Sequence, residues 1–513
     1  MALKNEWPFS GFPLHHKDQG LLSTVTSVRC TRCFRGVSAS LWVLLCAWTV
    51  AAPAKPWLDP AEPALRHDIQ LLSDAGVLGM PLTAWPLSWG AIGRDLEDAA
   101  PLLPARLANA RSRLLQRYRA ESRTQAVRPH LRAAVAYHPR PYRSFGDTSR
   151  EGGELEAGID WTGEVFAYRL QMAAVDAPDD DQAIRYDGSY VAAIAGNWAW
   201  SAGAVERWWG PGWDGSLILS NNARPIPALT VQRYYADPFD SAWLRWIGPW
   251  QFLFTLGQLE SDREIPDALF LGMRLNFRPT PALEVGLSRT AQWGGEGRPE
   301  DLSTFKELLL GKDNRGSAGI TAANEPGNQL GGFDVRWQSP LFDAPYAVYG
   351  QIIGEDESGG WPSKYLGMAG IEAWGARGER GASWRVHGEY ADTACGFNND
   401  QPAFGCAYRH TIYSDGYTYR GRVIGHTLGG DGRMLSLGLF YVTERGRPWE
   451  ILLRRIEPHR DDPASPTLLS VELGHRLIWR EQEVSLSVGA LRTEQPGGTD
   501  HEGQLDAQWQ WRY

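Results

Sequence analysis

From about Leu131 to its last residue the chain alternates apolar side chains with polar or small ones at a period of two. Leu271, Met273, Leu275 and Phe277 are separated by Gly272, Arg274 and Asn276, and Leu283, Val285 and Leu287 by Glu284, Gly286 and Ser288. Phe166 to Met172, Trp250 to Leu256 and Leu435 to Tyr441 repeat the pattern. Successive side chains of a strand point to opposite faces, so each run is a ribbon with one apolar and one polar side. A soluble β-sandwich and a membrane β-barrel both satisfy that rule.

Three features favour the barrel. The last run, Leu505, Ala507, Trp509, Trp511 and Tyr513 against Asp506, Gln508, Gln510 and Arg512, has the length that crosses a bilayer and ends on an aromatic residue, as an outer-membrane strand signal does. Trp198, Trp200, Trp243, Trp246, Trp250, Trp337, Trp374, Trp384, Trp449 and Trp479 fall near expected strand ends, where interfacial girdles lie, although a buried core is the alternative at each position. The connections also alternate in length. Arg278 to Ala282, Ser339 to Pro345, Gly375 to Ala382, Glu444 to Pro448 and Trp479 to Gln482 read as short. Gln292 to Gly332, Gly354 to Lys364, Asp392 to Arg433 and Glu457 to Thr467 read as long. Short periplasmic turns and long outer loops are how such barrels are built. Counting back from a periplasmic C-terminus gives about eighteen antiparallel strands over residues 129–513, an all-β transmembrane barrel.

The N-terminal part differs. Arg29, Arg32 and Arg35 precede an apolar run from Leu41 to Val50 and then Ala51, Ala52, Pro53 and Ala54, the order of a secretory signal, so residues 1–54 are expected to be a leader. Cys30, Cys33 and Cys46 fall within it, which argues against redox or metal chemistry for that CxxC. Residues 55–128 carry helical spacing, with Leu65, Ile69 and Leu72 before Gly76 and then Leu107, Leu114, Leu115 and Tyr118 after Pro104. They predict a small periplasmic domain of two or three helices. Beyond the leader no run approaches the roughly 20 apolar residues of a membrane helix. The net charge of −9, with the 51 basic residues scattered, argues against nucleic acid. Cys395 and Cys406 lie in a Gly/Asn/Pro-containing loop where an oxidising compartment favours a disulfide.

Signatures of hydrolases and nucleotide sites are absent: the chain holds no HExxH, GxSxG or GxxxxGK[ST], and no metal or cofactor is expected. His387, expected to face the lumen beside Arg385 and Glu389, is the one candidate for an outer-membrane hydrolase, against the plainer reading of a satisfied polar lumen residue. Asp179, Asp180 and Asp181 lack the spaced ligands and turn glycine of a calcium loop and read as a solvated outer turn. The unusual segment is RWWGPGWDGSLILSNNARPIP, Arg207 to Pro227. Trp208, Trp209 and Trp213 around a Gly/Pro turn, followed by Asn221, Asn222 and Arg224, offer flat apolar faces beside amide and guanidinium donors, the chemistry of carbohydrate recognition. A folded loop that plugs the barrel is the alternative, and the two are compatible.

That segment, with LGMRLNFRPTPALEVGLSRTAQWGGEGRP (Leu271 to Pro299) and LRHDIQLLSDAGVL (Leu65 to Leu78), resembles the capsule assembly Wzi family over essentially the whole mature chain. The resemblance implies an eighteen-stranded barrel with a periplasmic helical bundle and a loop-occluded lumen. It also implies a non-enzymatic outer-membrane lectin that holds capsular or related exopolysaccharide at the cell surface. The candidate binding residues, expected in outward-facing loops, are Trp208, Trp209, Trp213, Asn221, Asn222 and Arg224, with Arg289, Gln292, Trp293, Glu296 and Arg298 at the start of the next long loop. Outer-membrane lipid and periplasmic polysaccharide-export machinery are the other expected partners. A diffusion porin is the alternative function, with an outer-membrane hydrolase behind it; the apolar run Leu308, Leu309 and Leu310 is expected to help fill the lumen and so to speak against a porin.

Overall fold

The computed structural model describes residues 55–100, 102–146, 148–309, 327–339, 341, 344–358, 361–397 and 401–512. The expected leader, Leu310 and the terminal Tyr513 lie outside the described residues.

Three helices precede the sheet: α1 Pro63–Asp74, α2 Trp89–Asp98 and α3 Ala105–Glu121. Proline opens α1, where its missing N–H costs no helical bond. Gly76, at φ +73°, ends it as expected, its N–H donating to Ser73 O while that of Val77 donates to Leu72 O. Ser88 caps α2 by accepting from Ala91 N.

The sheet closes on itself, every neighbouring pair antiparallel. Its strands are β1 Ala126–Tyr137, β2 Gly153–Thr162, β3 Phe166–Asp176, β4 (Ile184–Arg185 with Tyr190–Ala195), β5 Trp198–Gly203 and β6 Ala228–Arg233. There follow β7 Trp250–Gln258, β8 Leu269–Thr280, β9 Leu283–Trp293, β10 Gly327–Gln338, β11 Tyr346–Ser358 and β12 Trp361–Arg377. The last six are β13 Ala382–Asp392, β14 Arg433–Val442, β15 Pro448–Glu457, β16 Thr467–Trp479, β17 Gln482–Gln495 and β18 Gly498–Arg512. Both pieces of β4 pair with β3 and so form one interrupted strand, which gives the eighteen strands expected. β18 seals the barrel against β1, from Leu505 opposite Tyr137 to Arg512 opposite His130.

Strand parity sorts the two faces. Leu435, Leu437, Leu453, Val471 and Val488 are exposed on the outside, whereas Arg274, Asp334, Glu372, Arg385 and Arg454 are buried inside. Trp200, Trp243, Trp246, Trp337, Trp449 and Trp479 are exposed toward the short-turn end, as a girdle requires. Trp374 departs from the girdle expectation. It shares parity with Glu372 and faces inward, with the Arg385 guanidinium 4.7 Å from its ring.

Turns 163–165, 196–197, 281–282, 378–381, 443–447 and 480–481 are short, and connections 138–152, 204–227, 294–326 and 393–432 at the other end are long. Three connections break the alternation. Residues 496–497 make a two-residue turn at the long-loop end. Residues 234–249 make a longer link at the short-turn end, and Gly354–Lys364, expected as a long loop, is mostly strand, with Ser358 paired to Trp361.

The helices pack into the short-turn mouth and do not form a separate layer. Asp74 of α1 accepts from Arg336 and Arg385 of the wall at 2.8 Å each, Glu284 of the wall accepts from the backbone N–H groups of Leu82 and Thr83, and Asn109 of α3 donates to Arg380 O in the 378–381 turn. The sheet begins at Ala126, three residues before the expected boundary.

Inside the 294–326 connection lies α4, Leu302–Leu309. Its Leu308 packs with Leu271, Ala291 and Trp293, residues of outward parity, so the helix rests on the outer wall and Leu308 does not fill the lumen as expected. The cause is again parity: Trp293 and Leu271 present apolar faces outward and α4 covers them.

Candidate functional site

The Arg207 to Pro227 segment passes through the barrel interior. Trp208 and Trp209 pair as a short ribbon with Trp85 and Ala84, tying the segment to the N-terminal chain. Below them Arg66 of α1 donates to Pro211 O (2.7 Å) and Gly212 O (2.8 Å) while its guanidinium lies 4.4 Å from the Phe145 ring and 4.2 Å from that of Trp213. Burial draws the Arg66 pKa down to about 10, still charged at neutral pH. The backbone N–H of Trp213 donates to Glu389, that of Asp214 to the same carboxylate at 3.0 Å, and the Trp213 indole N–H to Glu372 at 2.8 Å. Glu372 is shared with Arg336 (2.6 Å) and Arg385 (2.7 Å). Asp214 takes a bidentate bond from Arg454, whose other nitrogen reaches Glu472 at 2.5 Å. Burial works against ionising Asp214, and the Arg454 guanidinium outweighs it, holding that carboxyl below the usual range. A buried guanidinium is tolerated only with carboxylates or carbonyls on its donors, and here the wall and the plug supply them to each other.

The expected outward group is therefore placed differently. Trp208, Trp209 and Trp213 are 0%, 0% and 3% exposed. Phe145 packs edge-on against Trp208 at 5.3 Å, and Phe440 and His387 cover Trp213 at 5.2 and 5.7 Å, so those indole faces are already occupied. Asn221 donates to Phe145 O and Asn222 to Val423 O. Arg224 is clamped by Asp180 (2.5 Å) and Asp187 (2.7 Å), and these carboxylates outweigh burial and raise its pKa. Asp180 also pairs with Arg185, and Asp179 with Arg422, so the triple-aspartate turn is an ionic tie between loops. The cause of the difference is that a Gly/Pro turn with three indoles buries far more apolar surface inside a barrel than on its rim.

The second group divides across the wall. Arg289 and Trp293 face outward beneath α4, Arg289 donating to Leu308 O at 2.7 Å and Trp293 packing on Phe305 at 5.1 Å. Gln292 faces inward and donates to Gly416 O at 3.0 Å. Glu296 is exposed and Arg298 half-buried on the long-loop end. One-residue steps along β9 alternate sides, so a contiguous sequence cluster separates in space.

The 393–432 loop covers the plug from the long-loop side. A disulfide joins Cys395 and Cys406, with Cα atoms 6.0 Å apart. Tyr408 donates to Leu217 O at 2.6 Å and Tyr417 to Ile218 O at 2.8 Å, and their rings stack at 6.0 Å. His426 lies buried against Gly215, where any Cβ would collide with its ring, and burial takes its pKa down to about 4. None of the expected binding residues lies in this loop, which lids the plug. The tyrosines at 408, 413, 417 and 419 were its signal, and its rim presents Phe404, 40% exposed, with the Arg460 guanidinium 5.6 Å from the ring.

Along β1–β3 and β16–β18 the plug leaves a cavity of about 740 Å³ lined by both signs of charge, including Arg132, Glu154, Asp160, Arg169, Arg476 and Glu483. Toward the long-loop end its lining includes Arg185, which Glu151 clamps at 2.6 Å. His387 has the inward position expected of it, stacked on Trp213 and Phe440, and no group of three His, Cys, Asp or Glu suited to a metal occurs among the described residues.

The capsule assembly protein Wzi family matches residues 122–512. The solved barrel of Wzi from Escherichia coli, an outer membrane protein involved in group 1 capsule assembly and a carbohydrate-binding β-barrel, is 29% identical. Its TM-score is 0.77, with 88% of this chain and 99% of that one covered. An uncharacterised 55.8 kDa protein of the Klebsiella pneumoniae cps region is 34% identical over 426 residues, 80% of each chain.

Proposed function

Because this chain belongs to the capsule assembly protein Wzi family and is an outer-membrane β-barrel, we propose that it is a non-enzymatic lectin that holds capsular or related exopolysaccharide on the cell surface. The observation that carries the reading is the filled interior. Where Arg66 ties α1 to the plug, Arg336 and Arg385 tie α1 to the wall through Asp74, and Arg454 ties the wall to the plug through Asp214, a polymer has no way through, and the surface left to meet it is the long-loop end. On that end Phe404, backed by Arg460 that Asp392 holds at 2.7 Å, and the exposed Arg409, together with Glu296 and Arg298, supply an aromatic face beside cationic and anionic groups, which suits stacking on sugar rings and pairing with uronic-acid carboxylates. Trp208, Trp209, Trp213, Asn221 and Asn222 act in this reading as the scaffold beneath that surface, and Arg224 ties the scaffold to Asp180 and Asp187. The exposed side of α3 is the surface offered to export machinery in the periplasm.

Cells lacking the gene and complemented with Phe404→Ala/Arg460→Ala are expected to keep total polysaccharide and barrel abundance while the cell-bound fraction falls about tenfold, the loss of one good anchor contact. An unchanged bound fraction would refute the assigned surface. Trp208→Ala or Trp209→Ala is instead expected to lower barrel abundance, at a cost of roughly 3–5 kcal/mol for an emptied core site. His387→Ala is expected to abolish no activity, because its ring is packing between Trp213 and Phe440. A second reading, a narrow diffusion pore, is favoured by the 740 Å³ cavity, and single-channel recording separates the two.

A further inference from the structure

The hydrogen-bond register lays out the outer wall over β13–β18 as rows of outward side chains. Val386, Leu439, Ile451, Leu473, Val488 and Leu505 form one row. Toward the long-loop end the next is Gly388, Leu437, Leu453, Val471, Ala490 and Gly503. The row after that breaks the apolar run: Arg455 of β15 is opposite Leu469 of β16, which is opposite Arg492 of β17. Arg433, at the first position of β14, stands one step further out, opposite Glu457. All three guanidiniums are on the lipid-facing parity, with side chains 44% (Arg433), 60% (Arg455) and 49% (Arg492) exposed. Charge on that side is expensive at mid-bilayer and tolerated only where the strands leave the hydrocarbon.

We infer that this wall of β14–β17 carries a binding site for the phosphate-bearing headgroup of an outer-leaflet lipid, held by Arg433, Arg455 and Arg492. Glu457 accepts from Arg433 at 2.5 Å and from Arg455 at 3.0 Å, and Glu494 accepts from Arg492 at 2.6 Å. Three cations on two carboxylates leave one positive charge in excess. A guanidinium offers five N–H donors, and the two carboxylates take only part of them, so a phosphate completes the set. Arg455 and Arg492 lie two strand spacings apart, about 10 Å at the backbone, which one phosphorylated sugar headgroup bridges. The occupant is a lipid and not a soluble anion because the rows below it, Leu437 to Ala490 and Leu439 to Val488, form an unbroken apolar wall along which acyl chains lie. The two carboxylates also hold the three arginines at a fixed spacing, which selects a phosphate over diffuse anionic charge. The inference needs only a barrel in the outer membrane and is independent of the lectin reading.

The full detergent-solubilised chain is titrated with a monophosphorylated glycolipid and, separately, with the same lipid after dephosphorylation, and bound lipid is counted by native mass spectrometry. Preference for the phosphorylated form is expected, with affinity about tenfold lower in Arg433→Gln/Arg455→Gln/Arg492→Gln and recovered only in part in the corresponding triple Lys variant, which keeps the charge but not the planar donors. Equal binding of the two lipids by the native chain, or undiminished binding by the Gln variant, overturns the site. So does displacement of the lipid by millimolar inorganic phosphate, which would make it a site for a free anion. If the Gln variant fails to fold, the two lipids on the native chain and the Lys variant still decide the matter.

Discussion

Arg66 joins three parts of the molecule: it leaves α1, passes between Phe145 and Trp213, and ends on the carbonyls of Pro211 and Gly212. Arg66→Ala strands two buried carbonyls and is expected to cost about 3 kcal/mol, with Arg66→Lys recovering only part, as the midpoint of heat-modified gel migration would report. Histidines supply a pH dependence. Burial holds His426 at about 4, and burial with the nearby Arg385 and Arg113 cations holds His67 well below its ordinary value. Both are neutral in the fold and bind protons near pH 6.5 once unfolded, so the unfolded state gains protons first. Their contribution to stability is therefore complete above pH 6.5 and declines as the pH falls toward 4. A thermal midpoint that stays level from pH 7 to pH 4.5 would contradict this assignment. At this scale the sequence displayed the chemistry of Trp208, Trp209 and Trp213 but not its direction, because an indole beside a Gly/Pro turn looks the same whether a sugar or Phe145 covers it.

Strands were the most legible elements. Period-two alternation located β7, β8, β9, β14 and β18 and their outward faces, since a register slip of one residue would turn every apolar side chain into the polar lumen. Loops were less so. The β11–β12 hairpin hid behind Gly359 and Gly360, which read as a loop, and α4 was passed over because an apolar run of three leucines does not say which side of the wall it covers. Removing the disulfide with Cys395→Ala/Cys406→Ala frees a loop of eleven-residue separation, worth about 3 kcal/mol of chain entropy, and is expected to sensitise 393–432 to protease while the barrel stays folded. Leu308→Asp puts a charge against Leu271, Ala291 and Trp293 and is expected to release α4 from the wall, so that trypsin cuts after the already exposed Lys306 without the sheet unfolding.

For the whole molecule, the plug and helices are bonded to the wall through Asp74 and Asp214 and, beside the 740 Å³ cavity, through Asp59 and Glu62, so they are held as part of the barrel. Planar-bilayer recording of the purified chain is expected to show no steady conductance steps, and steps that vanish when Arg132 and Arg169 are replaced by larger apolar residues would place a pore in that cavity. A barrel of about eighteen strands, the C-terminal strand through Trp509 and Trp511, two of the three N-terminal helices and the family were determined by the sequence alone, because each rests on local periodicity, on loop lengths or on long motifs that survive without knowledge of the partner. Tertiary structure alone decided which side of the wall each cluster occupies: Trp213 within hydrogen-bond reach of Glu372, Arg289 under α4, Asp74 between Arg336 and Arg385. Most of these contacts join residues more than a hundred positions apart, and their direction follows from strand parity and from charge pairing in a closed space, neither of which a linear window contains.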